Sequence, residues 1–196
     1  MDYSALKLVF KNYDQRKAYF VEHYTELLGK SVVETLIGEG FLTAPASTKY
    51  HGAYVGGLFD HSVIVANVLS ELSLKNSLVW ENGKVCTSPL RIGILHDLCK
   101  IDQYNEVVEA ADKDKICSHY EWNNDPIIKG HGMKSALYAQ ALGISLTSEE
   151  LACIVYHMGA FTDSKEWRDY TNAVNRCPNV LWTHHADMIA SHIMEV

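Results

Sequence analysis

Apolar residues return at three- and four-residue steps along most of the chain, the period of helices that bury one face. Between residues 14 and 38 they fall at Phe20, Tyr24, Leu27, Leu28, Val32 and Leu36, which predicts one helix with Asp14 as its cap and Gly38 and Gly40 at its end. Residues 39–57 form a connector with Pro45 and glycines at 52, 56 and 57. A Gly pair just ahead of a helix lets the backbone turn tightly. The next helix is predicted from about Leu58 to Leu74, with Leu58, Val65, Val68, Leu69 and Leu72 inward. Residues 75–87 read as a loop with room for a short strand. Ser88-Pro89 marks a helix start, and Pro89–Cys99 is apolar on most sides, which predicts a central helix.

The helical period then lapses. Tyr104–Val108 and Ile116–Trp122 read as two strands joined by a turn at Asp112-Lys113-Asp114. Further helices are predicted from Gly130-His131-Gly132 through Leu142, from Thr147 to His157, from Ser164 to about Asn175, and from about Asn179 to Met194. The expected fold is therefore all-α, a mainly helical bundle, with one small hairpin between about 104 and 122.

Length and composition narrow this picture. A chain of 196 residues supports one buried core rather than two. We expect a single domain, with residues 1–50 as a helical extension and connector and 51–192 as the core. Apolar residues make up 47% and charged residues 21%, ordinary for a globular protein, and no apolar run reaches membrane-span length. Residues 1–10 lack the basic start and apolar block of a secretory signal, which predicts a cytoplasmic protein. Five cysteines, an odd number with no CxxC spacing, argue for reduced thiols, with Cys153 in the core. The net charge of −7 and the absence of a basic run argue against long nucleic acid as a partner. A local pocket for one nucleotide is compatible with both.

Ten histidines shift attention to chemistry. His61, His131 and His157 each stand at a predicted helix end, and the adjacent His96-Asp97 pair lies in the last turn of another. Asp187 lies in the last helix. Helix ends can converge on one point, and imidazole and carboxylate are natural ligands for zinc, iron or manganese. Each residue also has a plainer reading: His61 as a surface position, His96-Asp97 as a helix-end ion pair, His131 as a turn residue, His157 as a C-cap, Asp187 as exposed. Lys100, one turn past the pair, is a candidate phosphate contact, and Asp102 a candidate to order it or a water. Lys134, one turn past His131, could reach the same phosphate, and Tyr54 could stack on a base. His184 shares a helix face with Asp187 and is a candidate support for the ligands. His23, His51, His119, His185 and His192 receive no role.

The order His61 … His96-Asp97 … His131 … His157 … Asp187, over roughly residues 50–192, resembles the HD-domain superfamily of metal-dependent phosphohydrolases. His96-Asp-Leu-Cys-Lys100 looks like that family's His-Asp-x-x-Lys signature. Gly56-Gly-Leu-Phe-Asp-His61 is similar to the start of the first ligand helix in the HD domain of a bacterial 3′–5′ exoribonuclease family. The resemblance implies two divalent transition-metal ions (Fe, Mn, Zn, Ni or Co) on His61, His96, Asp97, His131, His157 and Asp187, with Asp97 bridging. It implies phosphate-ester hydrolysis by a metal-bridging hydroxide, with Asp97 and Lys100 in catalysis and Lys100, Lys134 and Tyr54 at the substrate. The exoribonucleases join their HD domain to an oligonucleotide-binding domain for which this chain is too short. A nucleotide or another small phosphate ester is therefore the expected substrate, ahead of 3′–5′ cleavage of short oligonucleotides. A di-iron oxygenase could use the same six ligands. A non-catalytic binding module is opposed by the completeness of the set.

Overall fold

The helix that begins at Gly57 is the axis of the molecule. The computed structural model describes residues 3–84, 86–112, 115–161 and 163–196, with the side chains of residues 4, 82 and 110–117 outside that description. Eight α-helices occur among the described residues: α1 (Tyr13–Leu28), α2 (Lys30–Gly38), α3 (Gly57–Lys75), α4 (Ser88–Leu95), α5 (Gly132–Ala141), α6 (Ser148–Tyr156), α7 (Trp167–Arg176) and α8 (Asn179–His192). A two-stranded antiparallel sheet, β1 (Tyr104–Asp112) and β2 (Lys115–Trp122), is inserted between α4 and α5. The fold is mainly α with a small hairpin. No helix among the described residues is long and apolar enough to cross a membrane.

α3 is buried nearly all round through residues 57–69, and α4 and α8 pack against it. A helix apolar on every side has no solvent face to offer and settles at the centre of a core. α4 lies backbone to backbone on α3. A Cβ at Gly93 would stand 2.3 Å from the Ala66 Cα, so only glycine permits the approach. The opposite side of α4 is tied to α6. Buried Glu150 accepts from Ser88 Oγ at 2.9 Å and from Arg91 Nε at 3.0 Å, and also forms a capping box with Thr147.

The N-terminal helices close the other flank. Phe20, Phe41 and Phe59 form a ring cluster with centroids 5.5–5.6 Å apart, seating α1 on the first turn of α3. Each such buried ring contributes about 1.5–3 kcal/mol. Beneath it the Arg16 guanidinium holds the Asp60 carboxylate through two 2.7 Å bonds.

Several expectations need correction. The single helix expected over 14–38 is two helices, because Gly29 adopts φ +94°, a left-handed turn that glycine makes without strain. Its cap is Asn12, whose side chain accepts from the Gln15 amide, rather than Asp14. The helix expected to run to Cys99 ends at Leu95, and Leu98–Ile101 continue as a 3₁₀ turn. Residues 81–83 form another 3₁₀ turn, and no strand occurs among the described residues of 75–87. Tyr104 pairs with Trp122 and Val108 with Ser118, so the two expected strands form a hairpin. The expected turn at Lys113 and Asp114 lies outside the described residues.

Candidate metal centre

Five segments deliver side chains to one point. His61 lies in the first turn of α3, and its Nδ1 sits 2.8 Å from the Val196 carbonyl. His96 ends α4 and His157 ends α6, and both use one local device. Each ring folds back so that Nδ1 meets the carbonyl three residues earlier, Gly93 at 2.8 Å and Ile154 at 2.7 Å. His131 stands at the N-terminus of α5, and Asp187 comes from the middle of α8.

Asp97 is the hub, and its two oxygens are divided between two pairs of rings. Oδ2 lies 3.2 Å from His96 Nε2 and 3.6 Å from His61 Nε2. Oδ1 lies 2.9 Å from His131 Nε2 and 3.4 Å from His157 Nε2. His61 Nε2 is also 3.2 Å from Asp187 Oδ1. Lys100 Nζ reaches Asp97 Oδ2 at 2.7 Å.

The contacts made by Nε2 of His61, His96 and His157 are not hydrogen bonds. An Nδ1 that faces a carbonyl must carry the ring proton, which leaves Nε2 as a bare lone pair. In His61, His96 and His157 that lone pair is aimed at a carboxylate. The Nε2 atoms of all four histidines and Asp97 Oδ1 are buried with no hydrogen-bond partner. One such orphaned atom costs about 1–3 kcal/mol. Five converging on one point make sense around a cation. Three ligand groups, His61-His96-Asp97, Asp97-His131-His157 and His96-His157-Asp187, each present their donor atoms within 4.8 Å of one another. Imidazole nitrogen with carboxylate oxygen fits a divalent transition metal.

The electrostatics agree for most of the cluster. Burial pushes the Asp97 carboxyl up, but Lys100, His96 and His131 outweigh it and hold the group well below the usual carboxylate range. Burial also raises Asp187, and contact with His61 more than offsets that, for a net fall. Burial lowers His131, despite Asp97. His96 is the exception: burial lowers it, and the neighbouring Asp97 charge reverses this to a net rise. Lys100 is lowered by burial and raised further by Asp97, so it stays charged.

Above the cluster opens a cavity of about 290 Å³. Asp97, Lys100, His131 and Asp187 form its floor, His51 part of its wall, and Tyr104, Trp122 and Phe161 its rim. Tyr104 and Trp122 meet edge to face with centroids 5.0 Å apart, across the base of the hairpin. A second pocket, of about 590 Å³, adjoins it through His51, Ser191 and His192.

All six ligand positions read from the sequence are thus brought together, and Lys100 with them. Lys134 and Tyr54 are not. Lys134 is buried and paired with Asp102, away from the cavity lining. Tyr54 Oη donates to Asp60 Oδ2 at 3.1 Å, and neither Tyr54 nor Lys134 lines the cavity. His184 does not reach the cluster, but its Nδ1 is 2.8 Å from the His157 carbonyl, bracing that ligand's backbone. Sequence reasoning missed His51, whose ring centroid lies 5.1 Å from that of His61 and whose pKa burial pushes down to about 4. The glycine-flanked stretch around it was the available signal. His119 pairs with Glu121 on the hairpin, and His185 packs on Trp182. Cys86, Cys99, Cys153 and Cys177 are free thiols.

Compared with protein-family models, with curated proteins and with solved structures, the chain matches none.

Proposed function

We propose that this chain is a metal-dependent phosphohydrolase of the HD type, acting on a nucleotide or another small phosphate ester. The observation that carries the reading is the set of four Nε2 atoms buried without partners around Asp97. Because Asp97 turns one oxygen to His61 and His96 and the other to His131 and His157, the arrangement supports two ions with Asp97 between them. His61, His96, Asp97 and Asp187 would hold one, and Asp97, His131 and His157 the other. Ions of the Mn, Fe, Co, Ni or Zn type supply acidified water and neutralise phosphoryl charge.

The chain's own residues supply the rest. Lys100 is charged, lines the cavity and rests on Asp97, from which it can turn to a phosphoryl oxygen. The buried floor keeps the reacting group out of bulk water. Trp122, Tyr104 and Phe161 offer flat apolar faces of the kind that hold a base. Among the described residues that line the cavity, Lys100 is the one lysine or arginine.

The test is metal analysis of the purified protein together with a phosphate-release screen of nucleotides with each metal. About two ions per chain and metal-dependent release support the reading. A protein that takes up no metal, or whose iron-loaded form consumes oxygen with substrate and releases no phosphate, overturns it. A second reading, hydrolysis of a short phosphodiester, is favoured by one observation: the cavity continues past His51 and His192 into the larger pocket, which has room for a second substituent. Faster turnover of a dinucleotide than of a mononucleotide would select it.

A further inference from the structure

Three of the four imidazoles are held from behind in one way, and the fourth is not. His61, His96 and His157 each place Nδ1 on a backbone carbonyl at 2.8, 2.8 and 2.7 Å. The Nδ1 of His131 instead faces the Cys99 Sγ at 3.5 Å. The side chains of the first three are fully buried, whereas that of His131 is 26% exposed. Its Nε2 is nevertheless buried and unpartnered, aimed at Asp97. Cys99 is buried two residues past Asp97, and its amide donates to Ser135 Oγ at 3.1 Å, which fixes the turn to α5. One short segment therefore places a carboxylate in front of His131 and a thiol behind it.

The partner behind a ligand imidazole sets how it performs. A carbonyl oxygen takes the Nδ1 proton firmly, fixes the tautomer and makes Nε2 a better donor to metal. A thiol sulfur is a weak acceptor. His131 is accordingly the least firmly oriented and least polarised of the four.

We propose that Cys99 is a positioning residue for His131, and that its weak acceptor makes the Asp97-His131-His157 corner the lower-affinity half of the cluster. The His61-His96-Asp97 corner fills first, and the His131 corner fills second. The inference rests on the metal-site reading above and adds to it an order of loading and the residue that sets it.

Calorimetric titration of the metal-free, full-length protein with Co²⁺ tests this, with the visible cobalt absorbance as a second readout. The wild type is expected to bind in two steps, the second at least about tenfold weaker, the scale on which outer partners tune metal affinity. Cys99→Ala is expected to weaken the second step about tenfold further and leave the first unchanged. Cys99→Ser, which replaces sulfur with a stronger oxygen acceptor, is expected to match or exceed the wild type in the second step. Should the alanine variant fail to fold, the serine variant decides alone: a second step weakened by tenfold or more overturns the proposal. Equal affinity for two ions in the wild type, or both steps falling together in Cys99→Ala, also overturns it while the metal-site reading stands. A protein that binds no cobalt at all sinks both.

Discussion

The floor and the rim of the cavity are built on opposite terms. On the floor, Asp97 and Asp187 are nearly inaccessible, and the three histidines buried behind them, His61, His96 and His157, are each pinned by a bond to the backbone. On the rim, Trp122 is 59% exposed and Phe161 is 68% exposed, and both come from connecting structure rather than the helical core. A buried, cross-braced cluster can keep lone pairs aimed at one another only because the surrounding packing holds them there. An exposed aromatic is held by far fewer contacts, Trp122 by its edge-to-face meeting with Tyr104, and can be exchanged at small cost to the fold. We take the difference to mean that the floor sets the chemistry and the rim sets what is chosen.

The largest expected effect comes from breaking the floor at its hub. Asp97→Asn removes the charge that faces all four rings and also frees Lys100. Both metal-binding steps should be lost in calorimetry, and under the proposed function phosphate release should fall by about a hundred- to a thousandfold, the scale on which electrostatic groups in active sites act. Retention of near wild-type activity by this variant would show that the cluster is structural.

Next in size is a change that attacks the floor from behind. Arg16→Ala leaves the buried Asp60 carboxylate with only the Tyr54 hydroxyl, one residue before His61. Removing one member of a buried ion pair costs about 3–5 kcal/mol. Urea denaturation should report a loss of that order. A loss below about 1 kcal/mol, the scale of a surface pair, would mean that the pair is effectively solvated.

How far these features were legible in the sequence follows the same division. The 3.6-residue period places His61, His96-Asp97, His131 and His157 at or near helix ends, but the set of six, with Asp187 from the middle of α8, was named through the resemblance of their order to the HD-domain pattern. The hairpin was legible from two strand-like runs, Tyr104–Val108 and Ile116–Trp122, on either side of Asp112-Lys113-Asp114; the register that sets Tyr104 against Trp122 was not. Arg16 with Asp60 and Lys134 with Asp102 were not, because a pair 44 or 32 residues apart leaves no periodic trace. The second took Lys134, read from the sequence as a candidate phosphate contact. The break at Gly29 was hidden because Leu28 and Val32 keep helical spacing on either side of it. The Nδ1 partners were hidden as well, since backbone carbonyls carry no residue identity.

Breaking the rim should cost selectivity and little else. Trp122→Ala removes a flat face worth about 1–3 kcal/mol to a stacked base. KM for a purine nucleotide should rise about fivefold or more, with kcat within about twofold and Tm lower by only a few degrees, from loss of the contact with Tyr104. A kcat that falls with KM held constant would place Trp122 with the floor.

Tyr54 is the smallest case and the one that places the boundary between the two regions. It is 43% exposed, like a rim residue, yet its hydroxyl reaches the Asp60 carboxylate under the floor. Tyr54→Phe keeps the ring and removes that one bond, while Asp60 retains both of its bonds to Arg16. The expected cost is about 0.5–1.5 kcal/mol of stability, the worth of a single hydrogen bond. KM should not move, since the residue does not line the cavity. Tyr54→Ala separates the possibilities further. If it raised KM for nucleotides while leaving KM for a ring-free phosphate ester alone, Tyr54 would belong to the rim after all, and the cavity would extend to it when substrate binds. A loss of stability with both KM values unchanged would keep it beneath the floor, as a brace for the Arg16-Asp60 pair.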